Sequence, residues 1–194
     1  MNALRVTILS CSLRAESRSR RLAHEAARLV RNGGDQPLLL DLREIVPPPF
    51  DDDAAFAHPA YPRLHRAVAD ADSVILAAPV YNWGLGGAAR NLIELTGATS
   101  EAGLGAAWFD KVVTFLCAGG TLRSYMAYGA TALSLMLDFK CVVNPYVTYA
   151  TDADWTGDGS PSDSLAARLG KTIAVQGELA RALRHRRYRS GWEV

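Results

Sequence analysis

Leu4-Arg5-Val6-Thr7-Ile8-Leu9 is a mostly apolar run rich in β-branched residues, and Ser10-Cys11-Ser12-Leu13-Arg14-Ala15-Glu16-Ser17-Arg18-Ser19-Arg20 follows it. Next comes the helical spacing Leu22, Ala23, Ala26, Leu29, Val30. The polar stretch is therefore a loop between a first strand and a first helix. In open α/β sheets, ligands bind beyond the carboxyl ends of strands, where such loops sit. A helix N-terminus at that place offers unpaired N–H groups and the positive end of a dipole to an anion. Ser12, Ser17 and Ser19 add hydroxyls, and Arg14 adds a guanidinium. The loop reads as a phosphate cradle. In isolation, the same serines would also serve as ordinary helix caps.

Outward from this loop the chain alternates strand and helix. Leu4–Leu9 and Leu38–Leu42 read as the first two strands, with helix Arg18–Val30 between them, stopped by Asn32-Gly33-Gly34. A loop carrying Pro47-Pro48-Pro49 and Asp51-Asp52-Asp53 leads to a short helix, Leu64–Ala71. Ser73–Ala78 is a continuous apolar run, as in a strand buried on both faces, and Pro79 is expected to end it. Helix Ala88–Thr96, strand Lys111–Cys117, helix Leu122–Leu137 and strand Cys141–Val143 follow, the last closed by Asn144-Pro145. Leu165, Leu169, Ile173, Gln176, Leu179 and Leu183 mark one face of a long final helix. Five βα units imply right-handed crossovers and a parallel sheet with helices on both faces. The count suits a flavodoxin-like doubly wound sheet, order 2-1-3-4-5, as one domain over residues 1–194. Its switch point lies between strands one and three, so the serine/arginine loop and the loop after Pro79 share one crevice.

Composition bounds the rest. The chain has 194 residues, 49% hydrophobic and 21% charged, with a formal charge of +1, which implies no bulk attraction to nucleic acid or membrane. No run is long enough to span a bilayer. Three scattered cysteines argue against a disulfide framework. These features lead to the expectation of a cytoplasmic protein without nucleic-acid or membrane partners. No glycine occurs between Met1 and Asn32, which excludes a dinucleotide fingerprint after strand one, and no nucleoside-triphosphate loop is present. A cysteine-phosphatase loop needs Arg six places after Cys, but Ser17 stands there after Cys11. Cys11 at a helix N-terminus is a candidate low-pKa thiolate, with a small loop residue as the plainer reading. Asp152 to Asp163 imitates a calcium loop but follows a strand and lacks the closing Glu, so it reads as a solvated turn. His24, His58, His65 and His185 do not cluster at zinc-ligand spacing, and no metal site is expected. The Arg181, Arg184, Arg186, Arg187, Arg189 tail complements a helix dipole, with a nucleotide phosphate or partner chain as the sharper alternative.

Ser12-Leu13-Arg14-Ala15-Glu16-Ser17-Arg18-Ser19-Arg20-Arg21-Leu22-Ala23 resembles the first signature of the NADPH-dependent FMN reductase family. Pro79-Val80-Tyr81-Asn82, followed by Arg90-Asn91, resembles the second. The resemblance implies FMN, with its phosphate on Ser12, Arg14, Ser17 and Ser19. It implies that Pro79, Val80, Tyr81, Asn82 and Trp83 line the ring and ribityl chain, and that Cys117, Ala118 and Gly119 approach the pyrimidine side. Cys11 departs from the family's usual glycine, Ser19 from asparagine, Arg90 from lysine and Gly86 from proline. The implied activity is hydride transfer from NADPH or NADH through FMN to a small acceptor (flavin, quinone, azo compound or metal ion). No catalytic side-chain acid or base is called for. The implied assembly is a homodimer or homotetramer, with the residues after Pro79 and helix Ala88–Thr96 as contact candidates. A flavin-binding electron carrier without direct NAD(P)H activity is the alternative, and a phosphatase the non-flavin rival.

Overall fold

Alternating core-facing residues set the sheet of the computed structural model, which describes residues 2–99 and 104–192. Strand β1, Arg5–Ser10, is central. Its Val6 and Ile8 face one hydrophobic layer and Leu9 faces the other. It pairs in parallel with β2, Gln36–Asp41, on one side and with β3, Ser73–Tyr81, on the other. A short β4, Gly84–Leu85, folds back antiparallel on β3, and β5, Val112–Ala118, runs parallel to β3. Both β6, Val142–Val143, and β7, Thr148–Ala150, then pair in parallel with β5. The path is β2-β1-β3-β5-β6. If β4 is set aside as a hairpin arm and β6 with β7 are taken as one interrupted strand, this is the doubly wound flavodoxin-like order.

Helices α1, Arg18–Asn32, and α5, Asp163–Arg184, cover one face of the sheet through Leu22, Ala26, Leu165 and Leu169. Helices α2, Ala60–Ala69, α3, Gly87–Gly97, and α4, Gly129–Phe139, cover the other with Leu64, Leu92 and Leu135. Trp108 is fully buried there, and its indole N–H donates to Thr96 Oγ1 at 2.8 Å.

Beside the earlier start of α2, at Ala60 rather than Leu64, and the short β4 within the expected loop after Pro79, three elements differ from the sequence reading. Strand β3 continues through Pro79 to Tyr81. The last β1 partner is Ser10, opposite Ala77, so the missing proline N–H deprives no neighbour of a donor, and the Pro79 carbonyl accepts from Gly86 N at 2.8 Å. The expected helix Leu122–Leu137 is a 3-10 segment, Leu122–Tyr128, itself kinked at Ser124, followed by α4. The fifth strand resumes as β7 after Asn144-Pro145 leaves the ladder. The Asn144 side chain donates to Thr114 Oγ1 (3.1 Å) and Thr172 O (3.0 Å), so the break is satisfied by side-chain bonds to β5 and α5.

The amino ends of the strands are closed by ion pairs from α5 and the residues after it. Arg181 holds Asp35 at 2.8 Å, Arg184 holds Asp72 at 2.6 Å, and Arg186 lies 3.5 Å from Asp110. The basic tail is thus committed, in part, to the end of the sheet away from the serine/arginine loop. Burial alone would raise the Asp72 carboxyl, but the Arg184 guanidinium and the Arg5 N–H outweigh it and hold its pKa below the ordinary value. A carboxyl depressed in the folded state contributes stability above its unfolded pKa of about 3.9 and loses it as pH falls through the folded value. The expected outcome is an acid limb in the stability profile below about pH 4 that is shallower in Asp72→Asn, read by circular dichroism melts across pH.

Candidate functional site

Strand β1 stops at Ser10 while β3 runs on, and the crevice opens where the two part. One wall is the loop Cys11–Ser17. Ser17 caps α1, its hydroxyl accepting from Arg20 N at 3.4 Å and lying 2.9 Å from Ser19 Oγ. Ser12 and Ser19 are buried, and Arg14 is exposed. From Ser12 to Ser19, among the described residues, the only backbone N–H with an acceptor is that of Arg14, to Ser12 Oγ at 3.4 Å. An array of unpaired donors at a helix N-terminus is what an anion requires, because each N–H left without a partner away from water is costly.

The cleft holds about 560 Å³. Nine of the twelve residues singled out from the sequence line it: Ser12, Arg14, Ser17, Ser19, Pro79, Val80, Tyr81, Ala118 and Gly119. Gly120, Glu16, Arg18, Arg21 and Asp152 complete the lining. Arg18 pairs with Asp152 at the rim, and the Arg21 guanidinium sits 5.9 Å above the Trp155 ring. A larger groove, about 640 Å³, lies between β2 and α2 at the opposite end of the sheet. None of the twelve lines it, and it lies away from the ends of β1 and β3 where the strands part, so size alone does not make it the functional site.

Three of the twelve lie elsewhere. Cys117 is fully buried in the core layer, and burial pushes its thiol up to about 12. Asn82 and Trp83 form the two-residue turn between β3 and β4, with φ of 48° and 62°. That is type I′ geometry, in which both central residues are left-handed. Trp83 is 69% exposed there. Cys11 is also buried, and burial first, then the Asp41 charge, pushes its thiol up to about 12. The aspartates of the Asp152–Asp163 segment are engaged locally. Asp154 accepts from Thr151 N and Oγ1 and pairs with Arg168, and Asp158 accepts from Ser160 N at 3.1 Å.

The contacts that hold the site's walls carried no signal in the sequence. A Cβ at Gly119 would overlap the Tyr149 hydroxyl, so glycine is required at this close approach. That hydroxyl donates to Thr121 O at 3.0 Å and lies 2.8 Å from Ser124 Oγ, which fixes the Gly119–Ser124 wall from beneath. Asn91, part of the second motif, receives Phe50 N at 2.7 Å and donates to Pro48 O at 2.8 Å. It therefore ties the triple-proline loop to α3.

Fold and cleft together define a doubly wound α/β protein with an open cleft at its switch point. The chain belongs to the NADPH-dependent FMN reductase family, whose model matches residues 4–156. Members are oxidoreductases that use a flavin and a nicotinamide. Solved structures share the fold. An oxidoreductase from Corynebacterium diphtheriae is 16% identical with a TM-score of 0.72, covering 93% of this chain and 98% of its own. The NAD(P)H:(acceptor) oxidoreductase FerB from Paracoccus denitrificans is 19% identical with a TM-score of 0.71, covering 91% and 98%. RosB, solved with 8-demethyl-8-formylriboflavin 5′-phosphate, is 22% identical with a TM-score of 0.72, covering 96% and 82%. No curated protein matches the sequence significantly.

A left-handed backbone costs a non-glycine residue about 1–2 kcal/mol. Trp83→Gly should therefore raise stability toward urea by about 0.5–1 kcal/mol, the gain being reduced by the greater freedom of glycine in the unfolded chain.

Proposed function

We propose that this protein is an FMN-dependent NAD(P)H oxidoreductase that delivers reducing equivalents to a small acceptor. The observation that carries the reading is the run of backbone N–H groups from Ser12 to Ser19, all but that of Arg14 without an acceptor among the described residues, beside a cleft at the switch point of the sheet. The donor set fits a phosphate dianion: backbone amides, the hydroxyls of Ser12, Ser17 and Ser19, the guanidinium of Arg14 and the α1 dipole.

Ser12, Arg14, Ser17 and Ser19 would hold the FMN phosphate. Pro79, Val80 and Tyr81 would wall one side of the flavin, and Ala118 and Gly119 the other. FMN, when bound, supplies hydride chemistry between a nicotinamide and the acceptor. The chain's own share is binding, orientation and exclusion of water. Gly119 and Gly120 bring bare backbone to the cleft. Asn82 and Trp83 contribute through the hairpin tip above it. The exposed Tyr81 and Trp83 offer flat apolar surface to a nicotinamide, an acceptor or a neighbouring chain. This reading includes a homodimer or homotetramer and a choice of acceptor among flavins, quinones, azo compounds and metal ions.

The test is an absorbance titration of flavin-free protein with FMN, then anaerobic addition of NADPH or NADH. Saturable binding followed by bleaching of the flavin band is expected. Binding without bleaching would favour an electron carrier, and no binding would end the flavin reading. Arg14→Ala should weaken FMN by about 1.5–3 kcal/mol, roughly 10- to 100-fold in Kd, measured in the same titration.

A further inference from the structure

Arg20 stands on the first turn of α1, yet its side chain reaches back under the serine/arginine loop. Nη1 donates to Arg14 O (2.6 Å) and Ala15 O (2.7 Å), and Nη2 donates to Ser12 O (2.7 Å). Nε donates to Asp41, the last residue of β2, whose other oxygen lies 3.4 Å from Nη2 and 3.0 Å from Arg43 N. The Arg20 and Asp41 side chains are 13% and 15% exposed. Arg20 is absent from the cleft lining, although Arg18, Ser19 and Arg21 beside it are present.

We infer that Arg20 is the positioning residue of the anion loop, fixing its backbone so that the amides face the phosphate, without touching the ligand itself. In a trans peptide the N–H points opposite to the C=O. Pinning the carbonyls of Ser12, Arg14 and Ala15 to one guanidinium turns the N–H groups of Leu13, Ala15 and Glu16 away from Arg20, and of these three residues Glu16 lines the cleft. All three of those N–H groups lack an acceptor among the described residues. A planar fork with five donors in fixed directions can hold three carbonyls and a carboxylate together, whereas a lysine ammonium has three donors on one atom and cannot span them. Asp41 offsets the Arg20 charge, so the contribution is geometric more than Coulombic. The Asp41 carboxyl, which burial alone would raise, is held below the usual range by Arg20 and the Arg43 N–H, and it stays ionised as the partner.

The inference rests on the reading that this loop takes the FMN phosphate, and the experiment separates the two. Flavin-free wild type, Arg20→Gln and Arg20→Lys are titrated with FMN and with riboflavin, which lacks the phosphate. Amide shifts of Leu13, Ala15 and Glu16 are followed by NMR on adding inorganic phosphate. Arg20→Gln and Arg20→Lys should each raise the FMN Kd about 10- to 100-fold, keep riboflavin within about twofold, and lose the phosphate-induced shifts. Arg20→Lys retains stem and charge, so it stands in should Arg20→Gln fail to fold. FMN affinity unchanged in both variants overturns the inference and leaves the flavin reading intact. FMN and riboflavin weakened in parallel also overturns it, since the effect would then be general. Wild-type amides that shift with phosphate but not with FMN would end the flavin reading while the Arg20 comparison still decides the inference. Wild type indifferent to both would overturn both.

Discussion

Backbone amides left without acceptors are the constraint on which the site depends. A strand or helix would have paired them. They stay open because β1 ends at Ser10 while β3 continues to Tyr81, and because α1 begins only at Arg18. Between these limits the loop must hold its amides toward one cleft while every carbonyl that turns away finds a donor. Arg20 meets that second demand for three carbonyls at once, and Asp41 at the end of the neighbouring strand holds Arg20. The cleft is therefore built from the ends of β1, β3 and β5 and the start of α1, with the end of β2 supporting the loop through Arg20, and no one of these would make it alone.

Charge is divided between the two ends of the sheet. At the amino ends, Asp35, Asp72 and Asp110 face Arg181, Arg184 and Arg186, and the guanidinium of Arg184 also donates to the carbonyls of Asn2 and Ala3. These bonds lock α5 and the chain after it against the base of the sheet. At the carboxyl ends, the helix dipole and Arg14 remain available, while Arg18 and Arg21 are occupied at the rim by Asp152 and Trp155. A near-neutral chain can thus present a locally electropositive cleft without general affinity for polyanions.

The parallel sheet was legible because buried runs such as Val74-Ile75-Leu76 and the periodic helices between them leave few alternatives. The place of the serine/arginine loop between β1 and α1, at the cleft, was legible because a polar stretch between an apolar run and a helical pattern has few other readings. Less was legible where tertiary context overrides a local rule. Pro79 reads as a stop, yet β1 has already ended beside it. The run before Thr151 gives β7 only because Asn144 can step out of the ladder and bond Thr114 and Thr172. Arg20 and Tyr149 could not be found from sequence, since their partners are carbonyls and a glycine rather than residue types with a pattern. Asn91 was legible as part of a motif, but its task of clamping Pro48 and Phe50 was not.

Cys11 shows why the loop is not built to attack. A thiol at the start of an anion loop, before a helix N-terminus, has the location of a nucleophile. Here its side chain points into the core, and burial, with the charge of Asp41, keeps it protonated at neutral pH, at about 12. The carboxylate that holds Arg20 is therefore also one that disfavours the thiolate. One largely shielded charge serves both ends: it holds Arg20 against the loop carbonyls and disfavours the Cys11 thiolate. What the loop offers the cleft is hydrogen-bond donors, backbone N–H groups and hydroxyls, and no nucleophile.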